Sequence, residues 1–246
     1  FDRAQRAWSV ALREGATLVA PEVFLIANAP VGMENGGIHI EQGASINTLG
    51  RGKAAYDSGD GFIYQPGVNT VVAVSNGRLQ MLAPLATSDR APGSILVGQC
   101  ALAACGNETR LYSEGTIAFA TNHTFTLDDA VRYGTRHLAL AVGAINVGTP
   151  QALAAAAERN TLPLGLTLDQ QVMERLLRGD TSRGAPALES LGLTAGQSLN
   201  FFGSSTLSTL DSNGKSLLDE LVVGTPAIYG AGNADDVALI QTGNLI

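Results

Sequence analysis

Residues 115–148 read GTIAFATNHTFTLDDAVRYGTRHLALAVGAINVG. The apolar runs in this stretch are short: Thr116 to Ala120, His137 to Val142, and Ala144 to Val147. Most such runs are bounded by Gly, Asn, Asp or Pro. Short apolar runs punctuated by turn residues are the signature of strands joined by turns. Similar runs continue on both sides. Upstream lie Ala16–Ala20, Val23–Ala27, Gly37–Ile40, Ala44–Asn47, Thr70–Val74, Leu79–Leu82 and Ser94–Val97. Downstream lie Ser198–Phe202, Ser205–Leu210, Leu221–Val223, Ala227–Tyr229, Val237–Ile240 and Asn244–Ile246.

Two all-β folds compete for this pattern. A sandwich would show regular hairpin signals, and Asn76-Gly77 is one candidate. Most links are instead irregular, and residues 50–67 hold little strand signal. A solenoid accommodates such links, because loops leave its corners without disturbing the stack. The expectation is therefore an all-β fold, for which the links favour a parallel β-solenoid without a strict repeat while the periodicity alone leaves a sandwich open. Asn146 and Asn200 sit inside apolar runs, where stacked amides can satisfy one another as a ladder. At roughly 20–25 residues per coil, the strand-bearing part would make about eight to ten coils.

A different texture begins at Gly148. Thr149 and Pro150 offer an N-cap and a first-turn proline, and residues 151–158 are rich in Ala and Leu. A second helix is marked by a capping box at Thr167 and Gln170. Leu168, Val172, Met173, Leu176 and Leu177 fall on one face of it. That face either packs on the rod or meets a partner. Arg175 and Arg178 suit the helix C-terminus, and Gly179 can end it. A short third helix is expected over Ala185 to Leu191. The organisation predicted is β-helix coils over 1–148, a helical insertion over 149–196, and further coils over 197–246.

Composition excludes several classes. The 246 residues are 45% hydrophobic and 15% charged, so the chain can build a core and is no disordered tail. The net charge is −7, and only Lys53 and Lys215 represent lysine, so a nucleic-acid partner is not expected. No apolar run reaches the ~18 residues of a membrane span. The chain opens on Phe1 with no leader pattern and closes within a strand-like run, as a piece of a longer chain would. The two cysteines, Cys100 and Cys105, have four residues between them. A disulfide closing that small loop is favoured, which implies an oxidising compartment; two buried thiols are the alternative.

No reaction motif stands out, so no catalytic residue, metal ligand or cofactor is assigned. Asp128-Asp129 follow Thr126 where a first helical turn would start, and there they offset the dipole. Asp235-Asp236 belong to a polar turn. Asp57-Ser58-Gly59-Asp60-Gly61 faintly resembles a calcium loop but lacks the full ligand set. His39, His123 and His137 lie in separate segments. Gly214-Lys215-Ser216 would end a phosphate loop, but Thr209 stands where its first glycine belongs. The glycosylation triplets at Asn107 and Asn122 read as ordinary turns.

The texture from Gly115 to Asp211 resembles the filamentous haemagglutinin family of two-partner-secretion exoproteins. It is carried by residues 115–148, by LTLDQQVMERLLRGDTSRGAPALESLGLTA at 166–195, and by SLNFFGSSTLSTLD at 198–211. The resemblance implies a right-handed parallel β-helix in a long secreted passenger on the bacterial surface. It implies export through an outer-membrane two-partner-secretion transporter, and a role in adhesion, biofilm formation or carriage of a contact-dependent toxin. A surface glycan or receptor would be the partner. The close cysteine pair and the helical segment depart from the family's usual look. The rival class is a carbohydrate-active β-helix enzyme, a polysaccharide lyase or glycosidase, which needs carboxylates or a basic residue in an external groove. A third possibility is that the helical segment is a docking or processing module.

Overall fold

The computed structural model describes residues 10–28, 37–55, 61–86, 93–100 and 107–246. Strands take up 46% of the described residues and helix 8%, so the class is all-β. None of the sheets closes on itself. The strands are short because the apolar runs are short, and polar side chains turn the chain between them. Asp128 Oδ1, for example, accepts from the Ala130 amide at 2.9 Å directly after a strand.

Two sheets are wholly parallel. The first contains β1 (Val10–Leu12), β4 (Ile38–Ile40), β9 (Ile95–Val97) and β12 (Phe125–Leu127), in that order. Its register sets Val10 opposite Ile38, Ile38 opposite Ile95, and Ile95 opposite Phe125. The second contains β2 (Thr17–Val19), β5 (Ser45–Asn47), β10 (Thr109–Tyr112) and β13 (Val131–Gly134). Here Leu18, Ile46, Leu111 and Tyr133 form one row.

The third sheet is the largest. Its path runs through β3 (Glu22–Ala27), β7 (Thr70–Ser75), β11 (Thr116–Thr121), β14 (His137–Gly148), β16 (Ser190–Phe202) and β18 (Glu220–Gly224). β15 (Gly165–Leu168) joins it beside β14, and β19 (Ile228–Gly230) beside β16. The chain therefore visits the three sheets in rotation, as β1, β2, β3 and later β12, β13, β14. Parallel neighbours need long crossovers, and here strands of the other two sheets supply them. β7 is the exception, antiparallel to both β3 and β11. Two small parallel ribbons complete the sheets: β6 (Phe62–Tyr64) with β8 (Leu79–Met81), and β17 (Ser205–Ser208) with β20 (Ala238–Gln241).

Side-chain alternation explains the layers. In β11, Ile117 and Phe119 point into the main core, whereas Ala118 and Ala120 point to a second one. β14 repeats this with Leu138 and Leu140 inward and Ala139 and Ala141 outward. Successive strand residues face opposite sides, so large and small residues separate onto two surfaces. The main core joins all three sheets. The small-residue surface is covered closely by Leu79 and Met81 of β8. There the Leu79 amide donates to Thr116 Oγ1 at 2.9 Å. This is why β7 and β11 are buried on both faces.

Asn76-Gly77 lies between β7 and β8, yet those strands do not pair with each other, so the hairpin candidate is not a hairpin. The Asn76 side chain instead ties corners together. Its Nδ2 donates to the carbonyls of Thr48 and Gly52, and its Oδ1 accepts from Thr48 Oγ1 and the Glu114 amide.

Among the described residues two helices lie between the strands. α1 (Pro150–Glu158) starts as expected, with Thr149 as N-cap and Pro150 in the first turn. Leu153 and Ala156 bury it against Phe202. α2 (Gln170–Leu177) is capped by Asp169, whose side chain accepts from the Val172 amide at 2.8 Å. The expected capping box is corrected here: Thr167 lies in β15, where it pairs opposite Asn146. The third helix expected over Ala185–Leu191 is not formed. The segment runs irregularly until Ser190 begins β16, because the Glu189 and Ser190 amides are drawn to the Arg136 carbonyl. Residues 149–196 thus hold two helices, all of β15 and the first half of β16. Asp128-Asp129 occupy a strand-to-strand turn, with no helix for their charge to cap.

Gly165 has a φ of +155°, and a Cβ there would lie 1.9 Å from the Ala144 carbonyl oxygen. Only glycine lets β15 reach its place beside β14.

Candidate functional site

The second sheet presents an unusual outward row. Thr109-Arg110-Leu111-Tyr112 and Val131-Arg132-Tyr133-Gly134 are neighbouring strands in register, so Arg110 stands directly opposite Arg132. Leu111 and Tyr133 point into the core, which turns both arginines outward. Adjacent strands are about 4.8 Å apart, so the two stems leave the sheet as a close pair of like charges. Glu108 relieves their repulsion. Its Oε1 accepts from Arg132 Nε at 3.1 Å, and its Oε2 lies 3.8 Å from Arg110.

The connection after α2 folds over this row. The Asp180 amide donates to the Tyr133 carbonyl at 2.6 Å. Gly134 makes the approach possible, because a Cβ there would meet the Asp180 carbonyl at 2.2 Å and Ala185 Cβ at 2.5 Å. The Tyr133 hydroxyl donates to the Leu176 carbonyl, fixing the C-terminal end of α2 to β13. Burial pushes that phenol's pKa upward.

Asp180 then reaches Tyr112, whose hydroxyl donates to Asp180 Oδ2. Burial, and next the Asp180 hydrogen bond, push the Tyr112 phenol up to about 12. Hydrogen bonds from Ser182 and then Tyr112 hold the Asp180 carboxyl below its usual value. Arg183 crosses the Tyr112 ring at 5.9 Å, a cation–π distance. Arg178, the C-cap residue of α2, lines the same space.

The result is an open groove of about 600 Å³. Four arginines (Arg110, Arg132, Arg178 and Arg183) line it with two carboxylates (Glu108 and Asp180) and the hydroxyl-bearing Thr181 and Ser182. Its local charge is positive although the chain carries −7 overall. Among the described residues, neither Arg178 nor Arg183 joins an ion pair. Two exposed guanidiniums therefore line the groove without a carboxylate partner. A smaller cavity beside it holds the Arg175–Asp129 ion pair.

The residues singled out from sequence lie elsewhere. Leu168 ends β15, while Met173 and Leu176 are buried on α2 in the main core. Val172 and Leu177 are half-buried against that core. The apolar face of this segment packs inside the chain. Cys100 is described, but Cys105 lies outside the described residues, as does Asp57 to Asp60 of the calcium-like loop. His39, His123 and His137 remain apart. His137 binds Ser190 Oγ at 2.8 Å, and burial, with Arg78 next in weight, pushes its imidazole down to about 4. Among the described residues no group of three or more His, Cys, Asp or Glu side chains could hold a metal ion.

Sequence reasoning missed the groove. The available signal was an arginine at the second place of two four-residue strands, each holding a tyrosine. No family model, curated protein or solved structure matches the chain.

Proposed function

We propose that this chain is a rod segment of a secreted bacterial surface exoprotein, a right-handed parallel β-helix serving adhesion or cell–cell contact. The observation that carries the reading is the in-register stacking of three successive ladders, seen in Val10, Ile38, Ile95 and Phe125. Such stacking builds length from short strands and a continuous interior, which is what a rod requires. The two helices lie on this stack and contribute Met173 and Leu176 to its core, so they act as elaborations of the rod. The resemblance to filamentous haemagglutinin exoproteins supports the surface address and export by a two-partner-secretion transporter.

Surface labelling tests the reading. Antibodies raised against residues 107–246 should bind intact producing cells or find the chain in the medium. Confinement of the chain inside the cell would sink it.

One observation favours the enzymatic rival: the groove joins Tyr112, Asp180 and four arginines. A lyase or hydrolase would need a base there. The Tyr112 phenol, up at about 12, keeps its proton near neutrality and gives it to a hydrogen bond with Asp180. Asp180 is held by Ser182 and Tyr112, and Glu108 by Arg132. The groove therefore reads as a binding surface. Product release from a glycan, abolished by Asp180→Asn, would instead establish catalysis.

A further inference from the structure

We propose that the groove between strands β10 and β13 and the segment 178–183 binds a carboxylated polysaccharide, a polyuronate, through its four arginines. The proposal deepens the adhesion reading by naming a ligand class, and it rests on the groove's own geometry.

Arginine is the first reason. A guanidinium presents a rigid fork of donors that matches a carboxylate in two parallel hydrogen bonds. Arg110 and Arg132 stand one strand spacing apart on the sheet, so a single acidic chain can meet both. Arg178 and Arg183 face them from the crossing segment and are exposed. The local sign of charge opposes that of the whole chain, which concentrates small acidic groups at this one place.

The acceptors are the second reason. Glu108 and Asp180 would repel a polyanion that offers them no hydroxyl donors, such as polyphosphate or duplex DNA. They can accept hydrogen bonds from hydroxyl groups, and Thr181 and Ser182 can donate or accept. A ligand carrying hydroxyls and carboxylates on each repeat uses both sets. The open shape admits a chain that enters and leaves, rather than a small enclosed molecule.

Preorganisation is the third. Arg183 is steadied over the Tyr112 ring, and Asp180 is fixed by Ser182 and Tyr112. Arg132 is held through Nε by Glu108 and through Nη1 by the Asp129 carbonyl. Less side-chain freedom is then lost on binding.

The test is a titration of the purified chain with polygalacturonate and alginate, with dextran, dextran sulfate and duplex DNA of similar length as comparisons. Polyuronates should bind, more weakly as salt rises, and dextran should not. The double variant Arg132→Gln with Arg183→Gln should bind polyuronate at least about tenfold more weakly. Arg159→Gln, exposed on the far end of α1, should bind as the unsubstituted chain does. Hydrogen exchange of the unsubstituted chain should slow over 107–112, 131–134 and 178–183 when polyuronate is added, a readout that needs no variant to fold. Absence of polyuronate binding, or binding indifferent to the groove arginines and without that footprint, overturns the proposal. Equal or tighter binding of dextran sulfate or DNA overturns the carboxylate assignment. A chain that binds polyuronate but is confined inside the cell would sink the surface role and leave this site standing.

Discussion

The side-chain amide of Asn200 donates to Asn146 Oδ1 at 3.0 Å, and the two residues face each other in register on adjacent parallel strands. Neither is exposed. Asn146 Nδ2 donates onward to the Pro163 carbonyl at 2.7 Å, and Asn200 Nδ2 is shared with Ser198 Oγ. A polar row thus runs beneath the link between α1 and β15, each buried amide satisfied by the next.

Truncating one member leaves the other with a buried group unpaired. Asn200→Ala should cost about 1–3 kcal/mol in urea denaturation. The double change Asn146→Leu with Asn200→Leu should cost less than the sum of the single changes, since it removes both partners together. Strict additivity would show that the amides do not depend on each other.

Met173→Ala should destabilise the chain by about 2–5 kcal/mol, the range for emptying a closed core site. Its side chain is fully buried. A change of a few tenths of a kcal/mol would mean that α2 lies loosely on the sheets, with its apolar face free after all.

Gly134→Ala should lift the segment 179–185 from β13, because no neighbour can yield the 2.2 Å gap to a backbone carbonyl. We expect a loss of about 1–3 kcal/mol and a fall in the Tyr112 pKa once Asp180 moves away. Ultraviolet titration of the phenol reads this directly; an unchanged pKa would place the segment elsewhere.

Alkaline and acid limits follow from two residues. The Tyr112 phenol titrates at about 12 against 10.0 for an unperturbed tyrosine, so the unfolded chain loses its proton first. Its stabilising contribution is whole below pH 10 and fades as pH rises toward 12. Tyr133, raised by burial, acts in the same direction. Tyr112→Phe should therefore flatten the alkaline fall in stability. His137 behaves oppositely: its folded pKa is about 4 against 6.5. Its contribution is whole above pH 6.5 and is lost as pH falls toward 4. Proton NMR of its ring should give a midpoint near 4, and His137→Gln should shallow the acid limb. A midpoint near 6.5 would contradict the buried setting.

Cys100 and Cys105 should resist alkylation until the chain is denatured and reduced. If two thiols alkylate in the denatured chain before any reductant is added, the expected disulfide is absent.

Much of the strand content is legible in short runs such as Ile117 to Ala120, because large and small residues alternate with the pleat. The direction of β7 is not. Val71, Val72, Ala73 and Val74 are buried on both faces, and a run without alternation says nothing about orientation. Thr167 looked like a helix cap until pairing with Asn146 claimed it for a strand, and the cap passed to Asp169. Ala185 to Leu191 has helical composition, but Arg136 and β14 draw its end into a sheet. The asparagine ladder could be foreseen because both residues interrupt apolar runs. The arginine groove depends on which strands become neighbours, and a register between Thr109 and Val131 is written nowhere in their local sequence.

The reversed strand has a mechanical consequence. A stack of like turns can fray from one end, each turn exposing the next. Here β7 runs backwards, and the chain leaving it crosses the small-residue surface through β8. That crossing lies over β11 and is pinned to it by Leu79 and Thr116. Fraying that starts at β1 would have to release this strap before β11 could open. The expected pattern of hydrogen exchange is a step, fast over 10–27 and abruptly slow from β7 onward, so that the reversed segment serves as a brake on unwinding.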